Sequence, residues 1–287
     1  MNPHNIKEIA LKDGTVRYYD GGRGRPLVFV HGLFTNMYLW RKVVAGLEGQ
    51  FRCIAPALPF AGRELPFRKA ADLRPPGLAA ILREFLKRMD LKDPIIIAND
   101  TGGALTQIMI AEDPDAAGGL VFTNCDALEV FPPAIFVYLR WMAYLPGSMW
   151  LMSLLMRPRI MRRSPLALGL LSKRRLPDDA LDAYVNPFLR NRAIRENTRE
   201  ILKDVRCRYT LAAAKRLSRF RGPVRLAWAR EDRLFPWSLG ERLAGLFANA
   251  EMSEIKDSGC FSPEDQPEAV VREIREFAGK QTAAKAG

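Results

Sequence analysis

The sequence predicts an α/β fold: a mostly parallel sheet with helices on both faces and an inserted helical cap. Short apolar runs alternate with helix-like stretches over the first third of the 287 residues. Such alternation is typical of parallel strands joined by crossover helices. It stops between about Ala127 and Val205 and resumes at Val224. A helical insertion after a central strand predicts a cap over the carboxyl edge of the sheet, where open α/β sheets bind ligands.

The elements before the insertion follow from periodicity. The first two predicted strands flank a Lys-Asp-Gly-Thr turn, which indicates a hairpin, and the later ones are short continuous apolar runs typical of buried strands. The predicted strands are 6–11, 16–19, 26–30, 51–55, 94–98 and 120–123. The predicted helices are 37–47, 78–89 and 103–111. The second of these begins after two prolines, which the first turn of a helix tolerates.

After the insertion, the same pattern returns and sets the domain boundaries. Strands are predicted at 224–229 and near 252–255, and helices after Pro236 and at 268–277. The core therefore comprises residues 1–126 and 206–278, and the helical cap residues 127–205. The small-residue tail, 279–287, is expected to be disordered.

One stretch of the insertion is apolar enough to suggest a membrane-spanning helix. Residues 134–156 contain a single charged side chain, Arg140, over a length that could cross a bilayer. Arg140 in its middle and the Pro146-Gly147 pair argue against a span. Two cap helices with apolar faces over a pocket are the favoured interpretation, and an interfacial helix followed by arginines is the alternative.

The net charge of +12 is confined to one segment. Residues 157–221 carry 18 Lys/Arg against 6 Asp/Glu, and the rest of the chain is balanced. A solvated, arginine-rich helical surface is the favoured interpretation. The alternative is attraction to an anionic substrate or a membrane surface. Nucleic acid is not an expected partner, because no nucleic-acid fold or motif accompanies the charge.

Cysteine usage and the amino terminus indicate a cytoplasmic protein. The four cysteines are widely spaced and form no CxxC pair, so reduced thiols are expected rather than a disulfide framework. Residues 1–8 are polar and lack the apolar core of a secretory signal. Neither a metal nor a cofactor is expected.

The most specific chemical signal is Asp100, directly after a predicted buried strand and before a helix. A nucleophile elbow places one side chain on a strained turn, with small residues two positions before and after it. Ala98 and Gly102 occupy those positions. The alternative is an aspartate that only caps the helix, and a second motif favours the elbow.

That second motif, Phe29–Leu33, lies at the end of another predicted strand. It resembles the His-Gly oxyanion motif of α/β-hydrolases. Residues 38–41 and 52–56 resemble the corresponding stretches of haloalkane dehalogenases and epoxide hydrolases, which also place Asp in the elbow. The resemblance covers about Val28 to Phe122 and Val224 to Phe277, and leaves the cap unmatched.

The resemblance implies the α/β-hydrolase fold and assigns roles to several residues. Asp100 would be the nucleophile, and the backbone N–H groups of Leu33 and Thr101 would form the oxyanion hole. In the motif His31-Gly32, the histidine is usually structural in this family, and that role is expected here.

The triad acid has a match, whereas the triad base does not. Residues 226–236 resemble the strand and loop that carry the family's acid, here Asp232. Asp126, just past a predicted strand, occupies the alternative acid position of some dehalogenases. The closing motif at 258–268 has Cys260 where the family has histidine, and the chain's only other histidine besides His31 is His4.

The presence of Cys260 in place of the family's histidine affects the expected chemistry. In the family scheme, Asp attacks carbon to give an ester, and histidine activates the water that cleaves it. A thiol with a reference pKa of roughly 8.5 is mostly protonated at neutral pH, so Cys260 is a poor replacement. Thr101 stands where dehalogenases have a halide-binding tryptophan, and Leu33 where many have an asparagine. The chain is therefore expected to be poor at turning over simple haloalkanes.

Three functions remain open. The first is a hydrolase with an Asp nucleophile that activates water by another route, through Asp232 or Asp126. The second is a lyase, isomerase or cyclase in which Asp100 is a general acid or base in a dry pocket. The third is an inactive ligand-binding or sensor protein. An enzyme is favoured over a scaffold, with a lipophilic small-molecule substrate, for which the basic cap allows an anionic group.

Overall fold

The α/β architecture predicted from the sequence is confirmed by a computed structural model. The structure describes residues 1–60, 62, 65–68 and 70–286, the last five of them as backbone only. The described strands are β1 (Ile6–Leu11), β2 (Gly14–Gly21), β3 (Pro26–Val30), β4 (Arg52–Pro56), β5 (Ile95–Asp100), β6 (Gly119–Cys125), β7 (Val224–Trp228) and β8 (Ala250–Glu254). They form one sheet in the order β1-β2-β4-β3-β5-β6-β7-β8. The β1–β2 and β2–β4 pairs are antiparallel and all other pairs are parallel.

Helices cover the sheet and fill the segment between β6 and β7. Their bounds are α1 (Arg41–Leu47), α2 (Pro75–Arg88), α3 (Thr101–Glu112), α4 (Val137–Met142), α5 (Ser148–Leu155), α6 (Arg159–Arg162), α7 (Asp178–Arg190), α8 (Arg192–Lys203), α9 (Arg208–Ala214), α10 (Trp237–Ala244), α11 (Ser262–Asp265) and α12 (Pro267–Ala286). The central strands β3, β5, β6 and β7 are buried nearly throughout. Their continuous apolar sequences are what a sheet covered on both faces requires.

The parallel strands bring distant parts of the sequence to one edge. Because β3, β5, β6 and β7 run in the same direction, their last residues, Val30, Asp100, Cys125 and Trp228, lie at the same end of the sheet. The loops that follow these strands therefore meet there. This edge is where the functional residues predicted from the sequence are brought together.

Between β6 and β7 the described chain contains helices and no strand. Helices α4 to α8 occupy the predicted cap, whereas α9 packs against α3 of the core. The apolar stretch 134–156 folds as two short helices, α4 and α5, which are separated at Pro146-Gly147, with Gly147 at a φ of 76°. No helix in the described part of the chain is long and apolar enough to cross a membrane.

The carboxyl-terminal segment differs from its prediction. Residues 279–287 were expected to be disordered, but α12 continues through Ala286, and Gly287 lies outside the described residues. Alanine, lysine and glutamine, which dominate this segment, are good helix formers. An existing helix extends through such residues more readily than a new one starts, because nucleation is the costly step.

Candidate active site

Asp100 ends β5 and directly precedes α3, in a backbone conformation that L residues rarely adopt. Its φ is 54° and its ψ is −135°, and such a conformation persists only where surrounding contacts enforce it. A Cβ on Gly102 would lie 2.6 Å from the carbonyl oxygens of Val30 and His31. Only glycine fits at that position, so the small residue after Asp100 is explained by the sharp turn from strand to helix.

One carboxylate oxygen of Asp100 is held by two backbone amides. Oδ1 accepts hydrogen bonds from the N–H of Thr101 at 2.6 Å and from the N–H of Leu33 at 3.3 Å. Gly32 lies against the same oxygen, because a Cβ there would be 2.1 Å from Oδ1. The two amides named from the sequence thus converge on Asp100 itself. The other oxygen, Oδ2, lies outside this pair of bonds.

The Asp100 carboxyl faces a pocket but is surrounded by protein rather than by bulk water. Burial raises its pKa, and hydrogen bonds from the backbone amides of Thr101 and Leu33 oppose that rise. Desolvation is the larger effect, since it disfavours the charged form of the carboxyl. Asp100 therefore keeps its proton to a higher pH than an exposed aspartate does.

Asp126 follows β6 and lies beside Asp100. The Thr101 hydroxyl donates to Asp126 Oδ2 at 3.0 Å, and Asp126 N–H donates to the Asp100 carbonyl at 3.3 Å. Among the described residues Asp126 Oδ1 has no hydrogen-bond partner. Burial, and then the charge of Asp100, raise the pKa of Asp126 well above its usual range. Two adjacent buried carboxyls do not both ionise readily, so Asp126 is the group expected to carry the proton.

Cys260 occupies the position expected from the closing motif, beside the other oxygen of Asp100. Its Sγ lies 3.8 Å from Asp100 Oδ2 and 3.6 Å from the carbonyl oxygen of Asn124. The residue is fully buried, and burial followed by the charge of Asp100 raises the pKa of its thiol well above the usual range. Cys260 is therefore a weak hydrogen-bond donor here and not a thiolate.

Asp232 lies in the loop after β7 and is also buried. Its Oδ1 accepts a hydrogen bond from the N–H of Leu234 at 2.8 Å, and the described residues offer Oδ2 no partner. Burial raises the pKa of Asp232 to about 7, against backbone hydrogen bonds that include the one from Leu234. Asn124 accepts from the N–H of Ala229 at 2.6 Å and so fixes this loop to β6.

Asn99 and Asn124 are the site residues that the sequence analysis did not identify. Asn99 Nδ2 donates to the carbonyl oxygen of Cys260 at 2.7 Å and to Thr123 Oγ1 at 2.9 Å. It thereby ties the closing motif to the sheet. A signal was available, because each asparagine interrupts an apolar strand just before its carboxyl end, and a buried amide needs partners.

His31 is enclosed and uses both ring nitrogens. Nε2 accepts a hydrogen bond from the N–H of Leu58 at 3.0 Å, and Nδ1 lies 2.9 Å from the Gly32 carbonyl oxygen, to which it donates. One nitrogen as acceptor and one as donor is the pattern of a neutral imidazole. The ring therefore joins two loops at the sheet edge and has no nitrogen directed at Asp100.

A pocket with an empty volume of about 920 Å³, part of it open to solvent, lies over Asp100. Its polar wall is formed by Thr35, Asp100, Thr101, Asp126 and Tyr138. The rest of the wall is apolar and comes largely from the cap, with Phe136, Leu139, Met152, Met156, Leu166 and Phe188 among its residues. Cys260 and Asp232 lie behind this wall. An apolar pocket with a few convergent polar groups is the usual form of a small-molecule site.

Comparisons with known proteins agree with this architecture. The chain is 25% identical over 289 residues to haloalkane dehalogenase 2 of Mycobacterium tuberculosis, in an alignment that covers 97% of this chain and 96% of that protein. It is 23% identical over 285 residues to the cis-3-alkyl-4-alkyloxetan-2-one decarboxylase of Shewanella oneidensis, over 94% of this chain and 86% of that protein. An α/β-hydrolase fold protein from Burkholderia ambifaria superposes with a TM-score of 0.79 at 23% identity, over 93% of this chain and 96% of that one. Residues 25–267 match the alpha/beta hydrolase fold family, and the chain belongs to that family.

Proposed function

We propose that this enzyme is a hydrolase in which Asp100 is the nucleophile and the substrate is a lipophilic small molecule. The observation that carries the proposal is the asymmetry of the Asp100 carboxyl. Two amides hold Oδ1, from Leu33 at 3.3 Å and Thr101 at 2.6 Å, and the carboxyl faces an apolar pocket. Oδ2 is then the attacking atom, and Oδ1 is already where an oxyanion would be stabilised.

In the first half-reaction, Oδ2 of Asp100 attacks an electrophilic carbon of the substrate. A bond forms between Oδ2 and carbon, and the bond from that carbon to the leaving group breaks with its electron pair. Where the leaving atom is oxygen, it needs a proton. Asp126 is the donor we propose, because it lines the same pocket and burial raises its pKa.

In the second half-reaction, water attacks the carbonyl carbon of the Asp100 ester. The negative charge develops on Oδ1, between the amides of Leu33 and Thr101, and collapse of this intermediate releases the alcohol and restores the carboxylate. Having given up its proton, Asp126 is now a carboxylate and accepts one from the attacking water. One carboxyl thus serves as acid and then as base, which replaces the missing histidine.

This cycle favours oxygen leaving groups over halides. A halide departs without a proton, so Asp126 stays protonated and no base is formed for the second half-reaction. In addition, the described residues of the pocket wall include no tryptophan, asparagine, arginine or lysine to stabilise a halide. Epoxides are therefore the proposed substrate class, and alkyl halides are expected to stop at the ester.

A lyase is the second candidate, favoured by one relative. The Shewanella oneidensis relative is named for decarboxylation of an oxetan-2-one, a four-membered cyclic ester. Asp100 would open such a ring at carbon and free its carboxylate. Loss of carbon dioxide would then form a double bond and expel Asp100 with its electron pair. That sequence consumes no water, so it needs no base to replace histidine.

A labelling experiment tests the proposal and separates the two candidates. The protein is incubated in ¹⁸O-water with less than one equivalent of a terminal epoxide. The masses of the product and of the peptide containing Asp100 are then measured by mass spectrometry. Hydrolysis through Asp100 puts ¹⁸O into the aspartate and unlabelled oxygen into the diol. Incorporation of ¹⁸O into the diol in this single turnover would contradict the role of Asp100 as nucleophile. An oxetanone converted to an alkene with no label in Asp100 would favour the lyase.

A matched pair of substrates tests the role of the leaving group. Multiple turnover is expected with the epoxide, whereas the bromoalkane of equal chain length should leave a stable adduct on Asp100. Cys260→His places an imidazole beside Oδ2 and is expected to convert that adduct into turnover. Steady turnover of the bromoalkane by the wild-type protein, unaffected by Cys260→Ala, would contradict the proposed cycle.

A further inference from the structure

The exposed apolar side chains are concentrated on one part of the cap. Of the eleven large apolar side chains exposed in the described chain, nine lie between residues 141 and 166. We name the apolar cap face by its most prominent members on α4 to α6 and the turn between α4 and α5: Trp141, Leu145, Trp150, Leu151, Leu155 and Ile160. Ile160 is 75% exposed and Trp141 63%. Clusters of this kind on a protein surface mark contact with a partner or a membrane.

Arginines border the apolar cap face. A groove between α5 and α8 is lined by Leu145 and Trp150 on one side and by Arg192, Arg195 and Arg199 on the other. Glu196 is the acidic side chain in that groove, and it pairs with Arg192. The groove thus combines apolar surface with an excess of positive charge.

Two further arginines lie along the same helices. Arg157 follows α5 and is exposed, and Arg140 lies over the ring of Trp141 at 5.2 Å. Neither forms an ion pair with any residue that the structure describes. No described carboxylate therefore neutralises their charges, which is the arrangement that attracts an anionic surface.

The apolar cap face also lies outside the substrate pocket. Helix α5 contributes Leu151 and Leu155 to the exposed face and Met152 to the pocket wall, and Met156 follows it in that wall. Leu166, which is not one of the residues that define this face, lines the pocket and is 60% exposed.

We propose that the apolar cap face inserts into the interface of an anionic membrane, with the bordering arginines on the lipid head groups. Tryptophan is enriched at the level of lipid head groups, and arginines near an anionic surface add to the attraction. Helices as short as α4 and α5 lie in the plane of the interface rather than across it. The proposal concerns how the protein reaches its substrate and does not depend on the chemistry of Asp100.

Charge argues for a membrane rather than for a second copy of this chain. A two-fold symmetric dimer places the same patch on both sides of the interface. Arg157 and Arg192 of one copy would then approach the same arginines of the other, with the net charge of +12 carried by residues 157–221 close by. An anionic lipid surface removes this repulsion and satisfies the same side chains.

Binding to vesicles tests the proposal with the full chain. One preparation is phosphatidylcholine alone and the other is two parts phosphatidylcholine to one part phosphatidylglycerol. The protein is expected to sediment with the second and to bind the first at least about tenfold more weakly, given the contribution of each arginine. Lipids brominated near the head group should quench the fluorescence of Trp141 and Trp150. Absence of binding to either preparation overturns the proposal.

Matched variants identify the surface responsible. Trp150→Ser with Leu151→Ser is expected to weaken binding about tenfold or more, whereas Leu211→Ser, on an exposed residue of α9, is the control and should change it less than about twofold. Arg157→Gln with Arg192→Gln is compared with Arg216→Gln with Arg219→Gln in the same way. All these positions are exposed, so folding is checked by unchanged thermal unfolding. Equal losses of vesicle binding in a test variant and its control would overturn the proposal. A dimer in vesicle-free solution that Trp150→Ser dissociates would also overturn it.

Discussion

Two groups of polar residues meet at the carboxyl edge of the sheet, and they differ in access to the pocket. The pocket-facing group is Asp100, Thr101 and Asp126. The sealed group is Asn99, Asn124, Asp232 and Cys260. In the pocket-facing group, the hydrogen bonds leave carboxyl oxygens available to a ligand. In the sealed group, most of the hydrogen bonds join loops to strands.

The difference bears on the proposed cycle, in which Asp126 takes the role that histidine has in the family scheme. The motif resemblance places the family's acid and base at Asp232 and Cys260, both in the sealed group. Neither residue lines the pocket, so neither is a ready base for a water held there. The residues that retain access are Asp100 and Asp126, and Thr101 links them, with its amide on Asp100 and its hydroxyl on Asp126. We therefore expect chemistry to depend on the pocket-facing group and stability on the sealed one.

Asp100→Ala should give the largest effect. It removes the attacking oxygen while the pocket remains, so kcat for an epoxide should fall on the order of 10⁶-fold, as for removal of a hydrolase nucleophile. No adduct on the protein should be found by intact mass. The protein should still unfold cooperatively, because the variant also removes a desolvated carboxyl. A variant that kept a tenth of the wild-type activity would remove Asp100 from the mechanism.

Asp232→Asn should affect stability rather than chemistry, and should do so in a pH-dependent way. The pKa of Asp232 is raised from 3.8 to about 7 in the folded protein. Between these values the folded chain holds a proton that the unfolded chain has lost, so stability falls as pH rises through this window. At about 1.4 kcal/mol per pKa unit, the loss approaches about 4 kcal/mol above pH 7.

Urea unfolding of the wild type and Asp232→Asn, below and above that window, measures the loss. Asparagine keeps the acceptor for the Leu234 N–H, which Asp232 uses at 2.8 Å, but cannot ionise. The wild type should therefore lose stability relative to the variant as pH rises. Curves that stay parallel across the window would show that Asp232 remains ionised in the folded state.

The sequence predicted the pocket-facing group better than the sealed one, for a physical reason. Asp100, Thr101 and Leu33 are specified by local patterns, since a strand end, a small residue and a sharp turn lie within a few positions of one another. The partners of Asn124 are distant in sequence, because its side chain bonds Ala229, 105 positions away. Only the packed sheet brings such residues together. The final residues of α12 were missed because composition alone does not distinguish a loose tail from the continuation of an existing helix.

Asp126→Asn should lower epoxide turnover about a hundredfold, the usual contribution of a general acid–base group. Asparagine fits the same space but can neither give a proton to the leaving oxygen nor take one from water. Adduct formation with a bromoalkane should be unchanged, because a halide needs no proton. Thr101→Val serves as the control for the hydroxyl, since it keeps the backbone amide on Asp100 Oδ1 and removes the link to Asp126. Equal losses with both substrates would mean that Asp126 only shapes the pocket.

Cys260→Ala should have the smallest effect and is the closest test of the contrast between the two groups. The thiol lies 3.8 Å from Asp100 Oδ2, and its hydrogen bond opposes the rise in the pKa of Asp100. Removing it should shift the rise of activity with pH to higher pH, because Asp100 then ionises later. At pH values where Asp100 is fully ionised, kcat should change by no more than about threefold, the worth of one weak hydrogen bond. The measurement is a kcat–pH profile with the epoxide, beside the same profile for Cys260→Ser, whose hydroxyl restores a donor and should return the profile toward that of the wild type. A hundredfold loss of kcat at all pH values would instead show that Cys260 takes part in the chemistry. The distinction between a sealed and a pocket-facing group would then be wrong.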